Sequence, residues 1–561
     1  VYDIMEQHSL FISHGIIYTK PGSGKSFDDY LVSADTKMYQ LKQQHKQKKD
    51  SNFLKGVDIS SVPMMVDNNI QIMDREGHVC RVFDFLKLNN VNSVRLRIWN
   101  EPDKVPESKG YCSLTYVLEM AHVIKKYKMN FLLDFHYSDY WADPRQQNKP
   151  DAWKNLSFDE LKEAVHKYTY DVLYRLKIMD CAPDMVQIGN EIRSGMLFPD
   201  VAVPQYRQLA ALVNEGIRAV RELLPETKVM IHLDQGGRYN CIMPWLDSMF
   251  NAGMLPIDAI GLSFYSFWHG TFMDLKDTMS RLIKLYNLPV YIVETAHPWR
   301  HCKGDHISKE LMETAGLDAG SAEQKKSLEI IMQIAAEVSK DTGKTGVYYW
   351  EPVGVPGKGM GTWFENMGMF DEHGRALPGW DAIRDFDLKN PPIKELDKYI
   401  ESLYEYEETP EVEDFMKLLM IHGNLISNPE FKDGFNNWQI ETSLEERQYT
   451  LGKDGVFISS DANFDYSISQ TVDIEYTGEY IAAVEYRGTN TTGVEVELFM
   501  DVEDESGVHT YTSDIFPADV RFVTHLLKPV RLQKNARVTV GLRMHTPPVF
   551  AKIKKISLVV I

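Results

Sequence analysis

The two residues in this sequence best suited to chemistry are glutamates that each end an apolar, strand-like run. Glu191 closes the run Gln187-Ile-Gly-Asn-Glu191, and Glu294 closes the run Val290-Tyr-Ile-Val-Glu294. Parallel α/β folds place their chemistry at the carboxyl ends of strands. Retaining hydrolysis of a glycosidic bond needs one protonated and one ionised carboxyl group about 5 Å apart. We therefore predict a glycosidase acid and nucleophile here, although a single glutamate at a strand end is more commonly a solvated turn residue.

The elements that must position these glutamates are strands alternating with helices over residues 53–390, which is typical of βα units and a parallel sheet. Eight such units predict an α/β fold of the (β/α)8 TIM barrel type, with both glutamates at its mouth. Three intervening segments show helical periodicity, residues 114–127, 158–176 and 205–224, and the last barrel helix should end near Asp387. The eight strands are predicted at residues 54–58, 93–98, 130–136, 185–189, 228–233, 259–264, 290–293 and 346–350.

Polar residues at other predicted strand ends could serve the pair. Arg97 could hold a carboxylate ionised, and Asn190 could bind the sugar hydroxyl next to the reacting carbon. His136, His232 and Tyr265 could donate hydrogen bonds to the nucleophile or to sugar hydroxyls. Because Arg95 and Arg97 alternate on one face, one of the two arginines could instead be a structural residue inside the barrel.

Tryptophans near the same strand ends offer flat apolar surfaces for sugar rings. Each of them could alternatively belong to the hydrophobic core. The candidates are Trp99, Trp141, Trp268, Trp350 and Trp363.

Composition favours a neutral substrate. The chain has 561 residues and a net charge of −19, which would repel nucleic-acid phosphates and anionic membrane surfaces. No apolar run is long enough to predict a membrane span. The 5 cysteines are scattered without paired spacing, so neither a disulfide framework nor a zinc site is indicated.

The regions outside the barrel have a different character. Residues 1–52 are predicted to be an N-terminal extension that is partly mobile, and residues 391–421 to be a connector with helical periodicity but no strong caps. Residues 422–561 contain short alternating strands separated by turn clusters, which predicts a C-terminal antiparallel β-sandwich.

Five groups of short segments, which follow one another in order along the whole predicted barrel, resemble glycoside hydrolase family 53, the endo-β-1,4-galactanases. They are Gly56-Val-Asp-Ile-Ser-Ser61, Val94-Arg-Leu-Arg-Ile-Trp-Asn100, Asp134-Phe-His-Tyr-Ser-Asp139 with Trp141-Ala-Asp-Pro144, Gly189-Asn-Glu-Ile192 with Gly195-Met-Leu197, and Tyr348-Tyr-Trp-Glu-Pro352. The resemblance implies a clan A barrel that hydrolyses β-1,4-galactan, the type I arabinogalactan side chains of pectin, with retention. It also implies Glu191 as acid/base and Glu294 as nucleophile, and places Asp139 among the substrate-binding candidates.

The resemblance carries further expectations. No cofactor is required, although some family members bind calcium after strand 7, where Asp305 and His306 are the candidate ligands here. The two ends of the C-terminal region look like a jelly-roll carbohydrate-binding module, with Trp438 as a core residue rather than a ligand platform. The expected location is extracellular or cell-surface, the signal peptide being absent from this chain. Two alternatives remain open, namely a clan A enzyme acting on mannan or glucan and a non-catalytic polysaccharide-binding protein.

Overall fold

The computed structural model describes residues 53–302, 307, 311–312, 315–342, 344–355, 366–404, 409–444, 449–452, 455–460, 464–488, 495–515, 522–546 and 549–560. The predicted extension over residues 1–52 lies outside these described residues. Within them, no helix combines the length and the apolar character needed to cross a membrane.

Eight parallel strands close into a barrel in the order β1-β8-β7-β6-β5-β4-β3-β2, so the predicted TIM barrel is confirmed. The observed strand ends lie within two residues of those predicted. The strands are β1 Phe53–Asp58, β2 Ser93–Ile98, β3 Asn130–Phe135, β4 Met185–Ile188, β5 Lys228–Leu233, β6 Ala259–Ser263, β7 Val290–Thr295 and β8 Thr345–Trp350.

Helices surround the barrel, and the three predicted from periodicity are all present. Among all the helices around the barrel, the two that begin at Phe158 and Phe272 start with a capping box. In a capping box, an N-cap hydroxyl and an acidic side chain three residues later satisfy each other's backbone N–H groups. The helices of the barrel region are α1 Val62–Asp67, α2 Val82–Leu88, α3 Leu114–Lys126, α4 Phe158–Ile178, α5 Tyr206–Leu223, α6 Tyr239–Asn251, α7 Phe272–Tyr286, α8 Ser321–Val338 and α9 Gly379–Asp385.

The barrel interior is apolar at one end and polar at the other. The apolar end is a cluster that includes Leu132, Met230, Tyr291 and Val293. Above it, toward the carboxyl ends of the strands, buried polar side chains fill the interior. We call this set, together with the half-buried Glu294, the polar layer; its buried members are Asp58, Arg95, Arg97, Asp134, Gln187, Asn190, Glu191, His232, Ser263 and Glu351.

Strand β7 contains a bulge at the position that matters most for the site. Leu262 pairs with Ile292 but the next residue, Ser263, pairs with Glu294, so β7 has one extra residue against β6. The pairing with β8 shifts over the same stretch. A bulge re-aims the side chain next to it. Val293 and Glu294 therefore both face the interior, whereas strict alternation would turn Glu294 outward with Ile292.

The connector forms two helices, α10 Leu396–Ser402 and α11 Pro410–His422. The prediction that it lacks strong caps is wrong for α11. Thr409 is its N-cap and accepts a hydrogen bond from the Val412 backbone N–H, and Pro410 occupies the first helical turn. That combination is a favourable helix start, because proline needs no N–H partner there.

The C-terminal region folds into two antiparallel sheets with an apolar core between them. One sheet has the order β9-β12-β18-β14-β15 and the other β10-β11-β19-β13-β16, with β17 paired to β13. Trp438 is buried and donates to the Asn428 carbonyl, as expected for a core residue. The strands are β9 Gln439–Thr442, β10 Tyr449–Gly452, β11 Gly455–Ser460, β12 Phe464–Asp473, β13 Gly478–Gly488, β14 Glu495–Asp504, β15 Gly507–Asp514, β16 Val523–Leu526, β17 Val530–Leu532, β18 Arg537–Thr546 and β19 Val549–Val560.

A buried ion cluster joins the sandwich to the barrel. Asp274, in the first turn of α7, accepts from Arg487 Nη2 of β13 at 2.7 and 2.9 Å and from Lys552 Nζ of β19 at 2.7 Å. The same carboxylate accepts from the N–H and hydroxyl of Thr271, the helix N-cap. One aspartate therefore both caps a barrel helix and forms ion pairs with two cations of the sandwich.

Candidate active site

Glu191 lies just after β4 in a left-handed backbone conformation, with φ of 49°. Its side chain is buried, and Oε1 accepts a hydrogen bond from the Ser263 hydroxyl at 2.5 Å. Burial, followed by the nearby negative charge of Glu294, raises the pKa of Glu191 well above the usual range of a glutamate. This environment favours the protonated form, which a general acid requires.

Glu294 lies on the bulge of β7 and has a different set of partners. The Tyr265 hydroxyl donates to Oε1 at 2.8 Å, and Arg95 Nη1 lies 3.4 Å from Oε2. Burial raises the pKa of this carboxyl too, but Arg95 and Tyr265 oppose the rise by stabilising its negative charge. Of the two carboxyl groups, Glu294 is therefore the one better stabilised as a carboxylate.

The two carboxyl groups meet across the barrel mouth, as the sequence predicted. Carboxylate oxygens of Glu191 and Glu294 lie within 4.8 Å of each other. Retaining glycosidases hold their carboxyl groups about 5–5.5 Å apart, whereas inverting enzymes leave about 6.5–9.5 Å for a water molecule. The spacing therefore matches attack by one carboxylate on the sugar, with no room reserved for an intervening water.

The arginine that reaches Glu294 is Arg95, which corrects the role expected for Arg97. Arg95 is fully buried and donates to Asp58 and Asp134, each at 2.8 Å, in addition to its contact with Glu294. Arg97 instead donates to Glu351 at 2.6 Å. Both arginines point into the barrel from β2. They differ only in how far along the strand they lie, and this position decides which one lies below the nucleophile.

Glu351 is a further buried carboxyl group, which the sequence analysis did not select. It follows β8 directly, with φ of 48°, and accepts from Arg97 and from the Ser61 backbone N–H and hydroxyl. Burial raises the pKa of Glu351 to about 7, although Arg97 opposes the rise. The signal that could have found it was its place in the Tyr348-Tyr-Trp-Glu-Pro352 segment, immediately after a barrel strand.

Carboxyl groups outnumber guanidinium groups in the polar layer. The carboxyl groups belong to Asp58, Asp134, Glu191, Glu294 and Glu351, and the guanidinium groups to Arg95 and Arg97. Ionising every one of them would leave uncompensated negative charge away from water, which is strongly unfavourable. This excess of carboxyl groups favours a protonated carboxyl in the layer, in agreement with the raised pKa of Glu191.

His232 lies in the middle of this layer, behind Glu191. Its Nε2 is 2.8 Å from the Ser263 hydroxyl, and its Nδ1 is 2.9 Å from both Gln187 Nε2 and Asn190 Oδ1. Burial, followed by the charge of Arg95, lowers the pKa of His232 well below its ordinary value, so the ring is neutral. The sequence selected His232 and Asn190 but missed Ser263 and Gln187, because neither residue type stands out within an apolar strand.

Two other candidates are engaged with protein groups rather than turned to a ligand. His136 Nδ1 accepts from the Ala142 N–H and the Trp99 indole, and its Nε2 lies 3.1 Å from Asp134. It is therefore not the donor to Glu294 or to a sugar hydroxyl that we expected. Asp139 accepts from the backbone N–H groups of Glu101 and Asp151, so its carboxylate ties two loops together.

The tryptophans divide by exposure. Trp99 is only 3% exposed and packs beside Trp141, so it is a core residue and not the sugar platform we expected. Trp141 and Trp350 are half-buried, with ring centroids 6.2 Å apart, and the Arg97 guanidinium lies 4.2 Å above the Trp141 ring. Trp268 is 44% exposed beside Tyr265. Trp363 lies outside the described residues.

Metal binding finds little support among the described groups. Glu191, Glu294 and His232 are close enough to share an ion, but both nitrogens of His232 already have hydrogen-bond partners. The exposed group Asp74, Glu76 and His78 is a closed turn in which Asp74 accepts from His78. The candidate calcium ligands Asp305 and His306 lie outside the described residues, and no step below depends on a metal.

Comparison with known proteins agrees with this geometry. The model of glycosyl hydrolase family 53 matches residues 54–383, which is more than half of the chain. An uncharacterized protein of Niallia circulans is 38% identical over 353 residues, covering 60% of this chain and 94% of that protein. The arabinogalactan endo-β-1,4-galactanase A of Emericella nidulans is 31% identical over 331 residues, covering 58% of this chain and 91% of the relative.

A solved structure gives the same result. The family 53 catalytic domain of Ignisphaera aggregans is 35% identical, with a TM-score of 0.56, and the match covers 59% of this chain and 96% of that domain. The fold, the paired carboxyl groups at the barrel mouth and the sequence match all agree, and the chain belongs to glycosyl hydrolase family 53.

Proposed function

We propose that this protein is an endo-β-1,4-galactanase that hydrolyses β-1,4-galactan, including type I arabinogalactan, with retention of configuration. The observation that carries the proposal is the pair of carboxyl groups of Glu191 and Glu294, which lie within 4.8 Å of each other and differ in environment, because Arg95 and Tyr265 stabilise the negative charge of Glu294 alone. The substrate class comes from the galactanase of Emericella nidulans, which matches across the barrel.

In the first step, Glu294 attacks the anomeric carbon while Glu191 gives its proton to the departing glycosidic oxygen. The C–O bond to the leaving sugar breaks and an ester bond to Glu294 forms. Arg95 and Tyr265 stabilise the carboxylate of Glu294 before the attack. The raised pKa of Glu191 keeps its proton available until the leaving oxygen needs it.

In the second step, water replaces the Glu294 ester. Forming the ester removes the negative charge of Glu294, which is one of the two largest causes of the raised pKa of Glu191. Glu191 can then ionise and accept a proton from the attacking water, which restores both carboxyl groups to their starting states.

The test is release of reducing sugar from purified β-1,4-galactan, with mannan, xylan and β-glucan in parallel. Short oligosaccharides from galactan alone would support the proposal, and activity on mannan or glucan would favour the alternative clan A enzyme. If the wild-type chain released no reducing sugar from any of the four polymers, the result would favour a polysaccharide-binding protein without activity.

The catalytic pair has its own matched test. Glu294→Gln keeps the size of the side chain but removes the nucleophile, so turnover should fall by at least about 10⁴-fold while the fold is retained. Glu329→Gln is the control, because the Glu329 side chain on α8 is 10% exposed, close to the 13% of the Glu294 side chain, and pairs with Lys326 outside the site. Near-normal activity of Glu294→Gln would contradict the assignment.

We also propose that the sandwich binds polysaccharide and that the protein acts outside the cell or on its surface. The outer face of the sheet around β14 and β18 carries the Glu497–Arg543 ion pair, with the Arg543 guanidinium 4.3 Å above the Phe499 ring. An inactive Glu294→Gln chain should be retarded in a gel containing galactan, and Arg543→Ala added to it should reduce the retardation. Unchanged mobility in galactan would contradict the binding role. Cell fractionation of the native host tests the location.

A further inference from the structure

A chain of buried hydrogen bonds runs behind Glu191, and the mechanism above does not use it. The Ser263 hydroxyl lies 2.5 Å from Glu191 Oε1, and His232 Nε2 lies 2.8 Å from the same hydroxyl. Neither Ser263 nor His232 is exposed to solvent. In each of these hydrogen bonds one group is the donor and the other the acceptor. The direction of donation can therefore be determined by starting from the groups farthest from Glu191.

The orientation of two amide side chains is fixed first. Arg95 Nε donates to Gln187 Oε1 at 3.4 Å, and Gln187 Nε2 donates to Asp134 at 2.6 Å. The Asn190 amide is also fixed, because its Oδ1 accepts from Arg95 at 2.8 Å and its Nδ2 donates to the Ala142 carbonyl. Gln187 therefore presents an N–H group to His232, and Asn190 presents an oxygen.

His232 Nδ1 lies 2.9 Å from each of these groups, so the hydrogen bond to Glu191 decides the tautomer in the state in which Glu191 is ionised, which is the state that the second step requires. If Nδ1 carried the proton, Nε2 would accept the only hydrogen of Ser263. The Ser263 oxygen would then face an ionised Glu191 with no proton between them. If Nε2 carries the proton, Nδ1 accepts from Gln187 and Nε2 donates to Ser263, whose hydrogen is then free for Glu191.

We infer that Gln187, His232 and Ser263 form a one-way relay of hydrogen-bond donors that positions the acid/base carboxyl of Glu191. When Glu191 is ionised, the relay makes Oε1 an acceptor of the Ser263 hydrogen, so Oε2 is left to receive the proton of the attacking water. It also stabilises the ionised form that acts as a base in the second step. The inference rests on the proposed function and adds three positioning residues to it.

Other charged groups around Glu191 oppose the effect of the relay on the pKa of Glu191. Glu294, Asp234 and Asp143 all raise its pKa by their negative charge, and Asp234 is itself paired with Arg193 at 2.8 Å. His232 is neutral because burial lowers its pKa. The Ser263 hydroxyl opposes the rise, and without it Glu191 would hold its proton too tightly to ionise in the second step.

The first experiment compares Ser263→Ala with Ser263→Thr, which retains the hydroxyl. For Ser263→Ala, the alkaline limb of the kcat/KM profile on galactan should move up by about one to two pH units, the shift expected from losing one charge-assisted hydrogen bond. We expect kcat to fall more than KM changes, because the second step needs ionised Glu191. Ser263→Thr should restore the wild-type profile, and an alkaline limb that stays in place in Ser263→Ala would refute the relay.

The second experiment uses the wild-type chain and does not depend on the folding of a variant. Nitrogen-15 NMR of labelled histidine, recorded at a pH above the alkaline limb, where Glu191 is ionised, and with His232 assigned by its loss in His232→Gln, should show the proton on Nε2; a proton on Nδ1 would overturn the relay. Carbon-13 titration of the Glu191 carboxyl can be followed even if galactan is not hydrolysed. A failure of the proposed function is thereby distinguished from a failure of the relay.

Discussion

Replacing Asp274 with alanine should destabilise the protein far more than an ordinary change at a helix start. The variant removes the carboxylate that Arg487 and Lys552 share, and both cations are buried at the contact between barrel and sandwich. Although burial opposes its ionisation, these two cations hold the pKa of Asp274 far below its usual value. Asp274→Ala would remove the carboxylate that Arg487 and Lys552 share, while both cations stay largely away from water.

The expected loss in the free energy of unfolding has two contributions. Breaking a buried ion pair by removing one partner costs about 3–5 kcal/mol, because the remaining charge stays desolvated. Losing the capping interaction with Thr271 costs about 1 kcal/mol more. The free energy of unfolding should therefore fall by about 4–6 kcal/mol, against about 1 kcal/mol for losing a helix cap alone.

Urea unfolding followed by tryptophan fluorescence measures this difference. The matched control is Glu160→Ala, since Glu160 has the same place in the capping box of α4 but is exposed and forms no ion pair with a cation in the described part of the sandwich. A second variant, Asp274→Ala with Arg487→Met and Lys552→Met, removes all three charges and should recover much of the loss. If Asp274→Ala were no less stable than Glu160→Ala, the buried ion cluster would not stabilise the contact as argued.

Three further predictions concern the barrel. Tyr265→Phe removes the hydroxyl that bonds Glu294, so kcat/KM should fall by about 10- to 100-fold with the fold intact; an unchanged value would exclude a role for that bond. Trp268→Ala removes an exposed ring beside the site, so KM for galactan should rise several-fold while kcat changes little, and a fall in kcat alone would contradict a binding role. Burial raises the pKa of Glu351 to about 7, so the folded state binds more protons than the unfolded state between about pH 4.5 and 7. Stability should therefore fall as the pH rises through that window, and Glu351→Gln should flatten the dependence measured by urea unfolding at several pH values.

The sequence predicted the barrel and the meeting of Glu191 with Glu294, because strand order alone brings those strand ends to one rim. It did not predict which arginine would reach the nucleophile, since Arg95 and Arg97 differ only in their depth along β2. It also placed His136 at the substrate, although its ring nitrogens are used by neighbouring protein groups.

Such errors have a common physical origin. Whether a polar side chain faces a ligand or another buried group depends on strand register, and register is set by long-range pairing rather than by neighbouring residues. The apolar run before Glu294 likewise carries no sign of the bulge that the pairing with β6 reveals. A fully buried strand has no polar alternation from which an extra residue could be recognised.

The extra residue in β7 makes the number of residues in this strand as important as their identity. Deleting Val293 would leave Ile292 followed directly by Glu294, so Glu294 would stay opposite Ser263 with its carboxyl toward the cleft, but the apolar end of the barrel would lose the Val293 side chain. Substitutions at Val293 that keep its volume should be tolerated, whereas deleting Val293 should lower the stability of the barrel more than it changes the direction of the Glu294 carboxyl. Anyone transplanting this active site into another barrel should therefore count β7 backward from the glutamate rather than forward from the start of the strand.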